Sequence, residues 1–137
     1  MLQHRQLRIC ASYMRGGTSK GVLISQQDLP TFAQEAGTLQ DQLLLRMLGS
    51  PDPYEKQIDG MGGATSSTSK VALISKSHRP EHDVDYLFGQ VSIQQETIDW
   101  SGNCGNLTAA VGLYAIQNGL VVPNVKSNQE TVAVRIW

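Results

Sequence analysis

A cysteine set among glycines, in Trp100-Ser101-Gly102-Asn103-Cys104-Gly105-Asn106, directly precedes the apolar run Leu107-Thr108-Ala109-Ala110-Val111-Gly112-Leu113-Tyr114-Ala115-Ile116. If that run is helical, Cys104 stands at its amino end, where unpaired N–H groups and the positive end of the helix dipole stabilise a thiolate or a bound carboxylate. Such surroundings lower a cysteine below its ordinary pKa of about 8.5, and glycines on both sides let a substrate approach the backbone. Acid–base or nucleophilic work by a thiol follows. A small residue buried in a tight turn is the competing reading, and spacing alone leaves both open.

The second candidate lies in Gly60-Met61-Gly62-Gly63-Ala64-Thr65-Ser66-Ser67-Thr68-Ser69-Lys70. Backbone N–H groups and hydroxyls in such a loop suit carboxylate oxygens. Lys70 sits where the loop becomes the apolar run Val71-Ala72-Leu73-Ile74-Ser75. Desolvation there would bring a lysine toward the about 7–8 of a general base, while an ordinary exposed lysine at a strand start is the alternative. Nucleotide binding is not expected. A Walker loop needs Gly-Lys-Ser/Thr opening a helix, whereas here Ser69 precedes the lysine and Val71 leads into a strand. The pair Gly60 and Gly62 also lacks the third glycine and the preceding strand of a dinucleotide fingerprint. Lys20, in Gly16-Gly17-Thr18-Ser19-Lys20-Gly21, shares the setting of Lys70 and is a candidate substrate contact. His78 and His82 are four apart, but Pro80 between them and charged neighbours predict an exposed loop rather than a metal site.

The elements that must position these residues can be read from periodicity. Residues 5–14 alternate as a strand and are followed by a turn over 15–21 and a short strand over 22–25, a hairpin with a polar tip. Asp28-Leu29-Pro30 reads as a helix entry. An amphipathic helix is expected over 39–48, with Leu43, Leu44, Met47 and Leu48 as its stripe, stopped by Gly49 and Pro51. Residues 50–68 form a loop, 69–75 a buried strand and 86–93 another strand, and 97–100 leads into the cysteine turn. The run after Asn106 is apolar on nearly all faces, which predicts a helix buried on every side, ended at Asn118-Gly119. A loop over 123–128 and a strand over 131–137 complete the chain. That strand stops without a polar finish, as if cut from a longer protein.

A chain of 137 residues has room for one domain with a real core, or for one half of a larger protein. Eleven basic against twelve acidic residues, with no basic run, speak against nucleic acid as a partner. No apolar run approaches the roughly 20 residues that span a bilayer, and the first residues lack the apolar core of a secretion signal, so a cytoplasmic protein without membrane contact is expected. The cysteines offer no zinc-ligand spacing. Cys10, in the strand-like Leu7-Arg8-Ile9-Cys10-Ala11-Ser12-Tyr13, reads as a buried structural thiol, and a disulfide with Cys104 is not expected in a reducing compartment.

Taken in order, Tyr13-Met14-Arg15-Gly16-Gly17-Thr18-Ser19-Lys20-Gly21, Leu48-Gly49-Ser50-Pro51-Asp52-Pro53-Tyr54, the stretch from Gln57 to Lys70 and Trp100-Ser101-Gly102-Asn103-Cys104-Gly105-Asn106-Leu107-Thr108-Ala109-Ala110 closely resemble the PrpF family of 2-methylaconitate cis-trans isomerases. The resemblance implies an α+β fold like that of diaminopimelate epimerase, a mixed sheet or barrel wrapped around a central apolar helix. It makes residues 1–137 the N-terminal domain of a two-domain isomerase with its site in the cleft between domains. It further implies a small di- or tricarboxylate substrate, chemistry without cofactor or metal, and a functional link to an aconitase-like dehydratase. Carried over by motif, Lys70 is the acid–base lysine and Cys104 its partner. Ser19, Lys20, Gly63, Thr65, Ser66, Asn103, Gly105 and Asn106 are the expected substrate contacts. Where the epimerases have Cys-Gly-Asn-Gly, this chain has Leu107 in place of the last glycine, which favours the isomerase branch. Related substrates, oxalomesaconate or itaconate-type acids, stay open, as does a non-catalytic binding or assembly role.

Overall fold

The computed structural model describes residues 6–123 and 131–137. Five strands form one mixed sheet in sequence order: β1 (Ser12–Gly16), β2 (Ser19–Ser25), β3 (Lys70–Lys76), β4 (Val84–Val91) and β5 (Ile98–Asp99). All neighbours are antiparallel except β2 and β3, which run parallel with Val22 opposite Val71 and Ile24 opposite Leu73. A parallel pair cannot be closed by a tight turn. The crossover carries two 3-10 turns, Gln26–Asp28 and Thr31–Ala33, then α1 (Thr38–Leu48) and the long loop over 49–69. The second helix, α2 (Gly105–Gln117), follows β5.

The apolar content of β2 and β3 is nearly continuous because both faces of the sheet are covered, as expected of central strands. Strand alternation sends Val22, Ile24, Val71 and Leu73 to one side, where they meet Leu44, Leu45 and Leu48 of α1. Leu23, Ala72, Ile74, Val84 and Phe88 go to the other, where Leu107, Ala110, Val111, Tyr114 and Ala115 of α2 pack on them. Each fully buried leucine contributes roughly 1.5–3 kcal/mol, so each helix is held chiefly by its packing rather than by its intrinsic propensity. Gly49 closes α1 in the left-handed conformation, φ 83°, and gives its N–H to the Arg46 and Leu45 carbonyls.

Several expectations are corrected. Alternation over 5–14 overstates β1, which begins at Ser12. Residues 6–11 lie outside any strand, Cys10 is exposed rather than buried, and Ile9 packs partly on the core. Both cysteines are free. The strands run on through the expected turn to a tip of Gly17 and Thr18, with Gly17 at φ 53°. The helix entry at 28–30 is realised as the two 3-10 turns, and α1 starts later. The flank of α2 bearing Asn106, Ala109, Leu113 and Gln117 is exposed, Leu113 by 54 %. Apolar residues lie on both flanks of α2, so composition could not tell which flank the sheet covers. Of the expected strand over 131–137, only a parallel bridge between Val84 and Ile136 forms, extended by hydrogen bonds between Trp137 and both Val84 and Tyr86. Most of the expected 123–128 loop lies outside the described residues. Among the described residues no helix is long and apolar enough to cross a membrane.

Candidate active site

Lys70 opens β3 on the face that carries Ala72 and Ile74, the α2 side. It is buried, 7 % exposed, with its ammonium 4.9 Å from the centre of the Phe88 ring. Its Nζ donates to Gln90 Oε1 at 2.6 Å, and Gln90 faces it directly across the β3–β4 ladder. Gly21, next along β2 from Val22, leaves room beside it: a Cβ there would stand 3.2 Å from the Lys70 Cβ and 3.0 Å from Leu107 Cδ2.

Cys104 caps α2 at its N-terminus in an extended conformation. Its Sγ accepts the Leu107 N–H at 3.4 Å and donates to Ser19 Oγ at 3.5 Å. Its carbonyl receives Thr108 Oγ1 at 2.9 Å and Tyr86 Oη at 3.4 Å. Burial pushes the Tyr86 phenol up to about 12, which keeps it protonated as a donor at neutral pH. Tyr86, Phe88 and Gln90 alternate along β4 and share one face, a row running from the cysteine turn to the lysine. Trp100 anchors the turn from the other side, its Nε1 donating to Asp41 Oδ1 of α1 at 3.0 Å.

The hairpin tip holds the helix start in place. Asn106 Nδ2 donates to Thr18 Oγ1 at 3.1 Å, and a Cβ on Gly16 would collide with the Asn106 carbonyl and come within 2.9 Å of the Leu107 Cα. With its side chain used as a strut, Asn106 offers a ligand its backbone N–H, as does Gly105, both exposed in the first turn of α2.

The expected site residues divide accordingly. Ser19, Cys104, Gly105 and Asn106 come together, and Lys70 shares their sheet face. Asn103 is exposed beside the cysteine. Gly63, Thr65 and Ser66 lie in the loop that leads to Lys70: Gly63 N–H donates to Thr68 O, and the Thr65 hydroxyl is shared with Thr68 Oγ1 at 2.7 Å. Ser66 O accepts Gln90 Nε2 at 3.1 Å. Lys20 is not brought to the group. Alternation turns it to the α1 side with Val22, and its ammonium stands 5.7 Å from the centre of the Tyr13 ring. His82 is tied to the Pro80 carbonyl and His78 is exposed. Among the described residues no group of three or more His, Cys, Asp or Glu side chains is placed to hold a metal. A cavity of about 450 Å³, lined by Gly49, Pro51, Asp52, Tyr54, Lys56 and Ile58 among others, contains none of the expected site residues.

Two glutamines were missed. Gln57 is 1 % exposed: its Nε2 donates to Ser50 Oγ and Ser69 Oγ, at 2.9 and 2.8 Å, and its Oε1 accepts the Ala64 N–H at 2.9 Å. It pins both arms of the loop to the start of β3, one residue before Lys70. No sequence signal separates it from a solvated loop residue. Gln90 had one, a polar residue on the face of Phe88 at the end of an apolar strand. A buried polar group left without a partner costs about 1–3 kcal/mol, so Gln57→Leu, which strands the Ser50 hydroxyl and the Ala64 N–H, should destabilise by about 2–4 kcal/mol. The midpoint of urea unfolding measures this, and an unchanged midpoint would show the network to be dispensable.

The α+β fold, one five-stranded mixed sheet covered by α1 and α2, is that of the diaminopimelate epimerase-like proteins. The chain belongs to the PrpF family, whose profile, described as PrpF protein, matches residues 6–137. It is 62 % identical over 132 residues to the 2-methyl-aconitate isomerase of Shewanella oneidensis, covering 96 % of this chain and 33 % of that protein. To the enzyme of the same name from Cupriavidus necator it is 63 % identical over the same length and shares. The crystal structure of a methylitaconate-delta-isomerase superposes with a TM-score of 0.80 at 42 % identity, over 96 % of this chain and 32 % of that one. The chain thus spans about a third of the length of the relatives it matches.

Proposed function

We propose that this chain is the N-terminal domain of a two-domain isomerase that exchanges cis and trans geometry at the C=C bond of a 2-methylaconitate-like tricarboxylate. The observation that carries the reading is the placement of Lys70 and Cys104 on one sheet face, with the first turn of α2 open beside them. A substrate carboxylate rests on the Gly105 and Asn106 N–H groups. Lys70 removes a proton from the carbon next to the double bond, and the electron pair left behind delocalises toward that carboxylate. Donors aimed at the growing negative charge lower the barrier. Rotation about the weakened bond follows, and Lys70 or Cys104 returns the proton. A cytoplasmic site of action and an aconitase-like dehydratase as functional companion belong to the same proposal, supported by family resemblance.

The relation to a methylitaconate-delta-isomerase favours, as second reading, proton transfer that shifts the double bond rather than inverting it. Both use the same lysine and cysteine and differ in where the proton returns. Turnover of 2-methylaconitate, methylitaconate and oxalomesaconate by the complete protein in D2O, followed by NMR, separates them. We expect kcat/KM for 2-methylaconitate to exceed the others by about tenfold or more, the scale on which a pocket discriminates small apolar differences. Turnover of none of the three would sink the enzymatic reading.

A further inference from the structure

We infer that Gln90 is the positioning residue for the Lys70 amine, an inference that rests on the acid–base role given to Lys70 above. The amide is held at both ends. Its Nε2 donates to the Ser69 carbonyl at 2.9 Å and to the Ser66 carbonyl at 3.1 Å. Carbonyls only accept, so this pair fixes which end of the amide is nitrogen and leaves Oε1 facing Lys70 Nζ at 2.6 Å. The same two bonds fasten β4 to the end of the 50–69 loop, so the direction of the amine is set by the loop itself. Phe88, two residues back on the same face, supports the ammonium with its ring and closes the apolar side.

The neutrality of the partner matters as much as its position. An amide oxygen accepts an N–H from either the neutral amine or the ammonium. A carboxylate in its place would hold the lysine in the charged form, which cannot remove a proton. Among the described residues, the other ionisable groups on this side of the sheet are Asp99, Tyr86, Cys104, Tyr114 of α2 and Lys76 at the far end of β3. Asp99, across from Gln90 on β5, accepts from Ser101 N and Oγ at 2.9 and 2.6 Å, Tyr86 donates to the Cys104 carbonyl, and the Cys104 thiol donates to Ser19.

The test follows solvent deuterium entering 2-methylaconitate in the complete protein and its Gln90→Met, Gln90→Glu and Lys70→Ala variants. Gln90→Met keeps the chain length and removes the acceptor. It should lower kcat about 100-fold while KM changes by less than about threefold, the signature of a reacting group set loose rather than of lost substrate contacts. Gln90→Glu should move the limb of the pH profile on which activity rises upward by about one unit or more. A purely structural glutamine would lower the amount of folded protein, read by circular dichroism, and leave both quantities of the folded fraction unchanged. That result overturns the inference. Where the methionine variant does not fold, the pH limb of Gln90→Glu decides alone. Wild-type exchange in Lys70→Ala overturns the reading of the lysine and this inference together. Loss of exchange in Lys70→Ala with wild-type behaviour in both glutamine variants overturns this inference alone.

Discussion

Replacing Lys70 by alanine in the complete protein should reduce deuterium exchange into 2-methylaconitate by about 1,000-fold or more, near the upper part of the range that a positioned acid–base group contributes. Burial, the Phe88 ring and the Gln90 amide all converge on the Nζ, and alanine removes the one basic nitrogen they surround. Substrate binding should survive, because the N–H groups of Gly105 and Asn106 belong to the backbone of α2. The expected signature is a collapsed kcat with a KM within about threefold of wild type, the pattern of an interaction made only in the transition state. Full exchange in the variant would remove the lysine from the mechanism and leave the thiol to account for all proton movement.

Gly16→Ala should be the most damaging single methyl group in the hairpin. The new Cβ points at the Asn106 carbonyl and the Leu107 Cα, which are helix backbone and cannot swing aside like the end of a flexible side chain. Relief requires the hairpin and α2 to separate, stretching the Asn106–Thr18 hydrogen bond and the Cys104–Ser19 contact together. Overpacking of this kind costs about 1–3 kcal/mol and at times more, and we expect about 2 kcal/mol or above. Activity should fall as well, by about tenfold or more, since small displacements of a reacting group are costly. Thermal melting and kcat are the paired measurements, and a variant with wild-type values of both would show that the two backbones are free to part.

What could be read from the sequence was whatever leaves a periodic trace. The parallel core strands were visible because Val22, Leu23 and Ile24, like Val71 to Ile74, are apolar without interruption, and α1 because its leucines recur at helical spacing. Cys104 and Lys70 stood out as candidates because each sits where an apolar run begins. Pairing partners leave no such trace. The alternation over 5–14 looked as strand-like as β2, yet among the described residues strand pairing begins only at Ser12. Gln57 escaped for the same reason, and Gln90 gave only the hint of a polar residue on an apolar face, since the contacts of both are with groups supplied by distant segments: Ser50 and Ser69 for one, Lys70 and Ser66 for the other. Lys20 shows how a shared setting in sequence can part in space. It shares the glycine-rich setting of Lys70, but alternation in β2 sends it to the far side of the sheet.

The parallel seam between β2 and β3 has a kinetic consequence. Everything from Gln26 to Ser69 must be looped out before the first bond between those strands can form, and the entropy of that closure is spent before any reward arrives. The segment carrying Ser19 therefore meets the one carrying Lys70 late, whereas the hairpin and α1 can form from near neighbours along the chain. A nascent or heat-damaged molecule would then display native-like local structure with its chemistry still unassembled. Recovery of turnover should lag recovery of helical signal in any refolding time course.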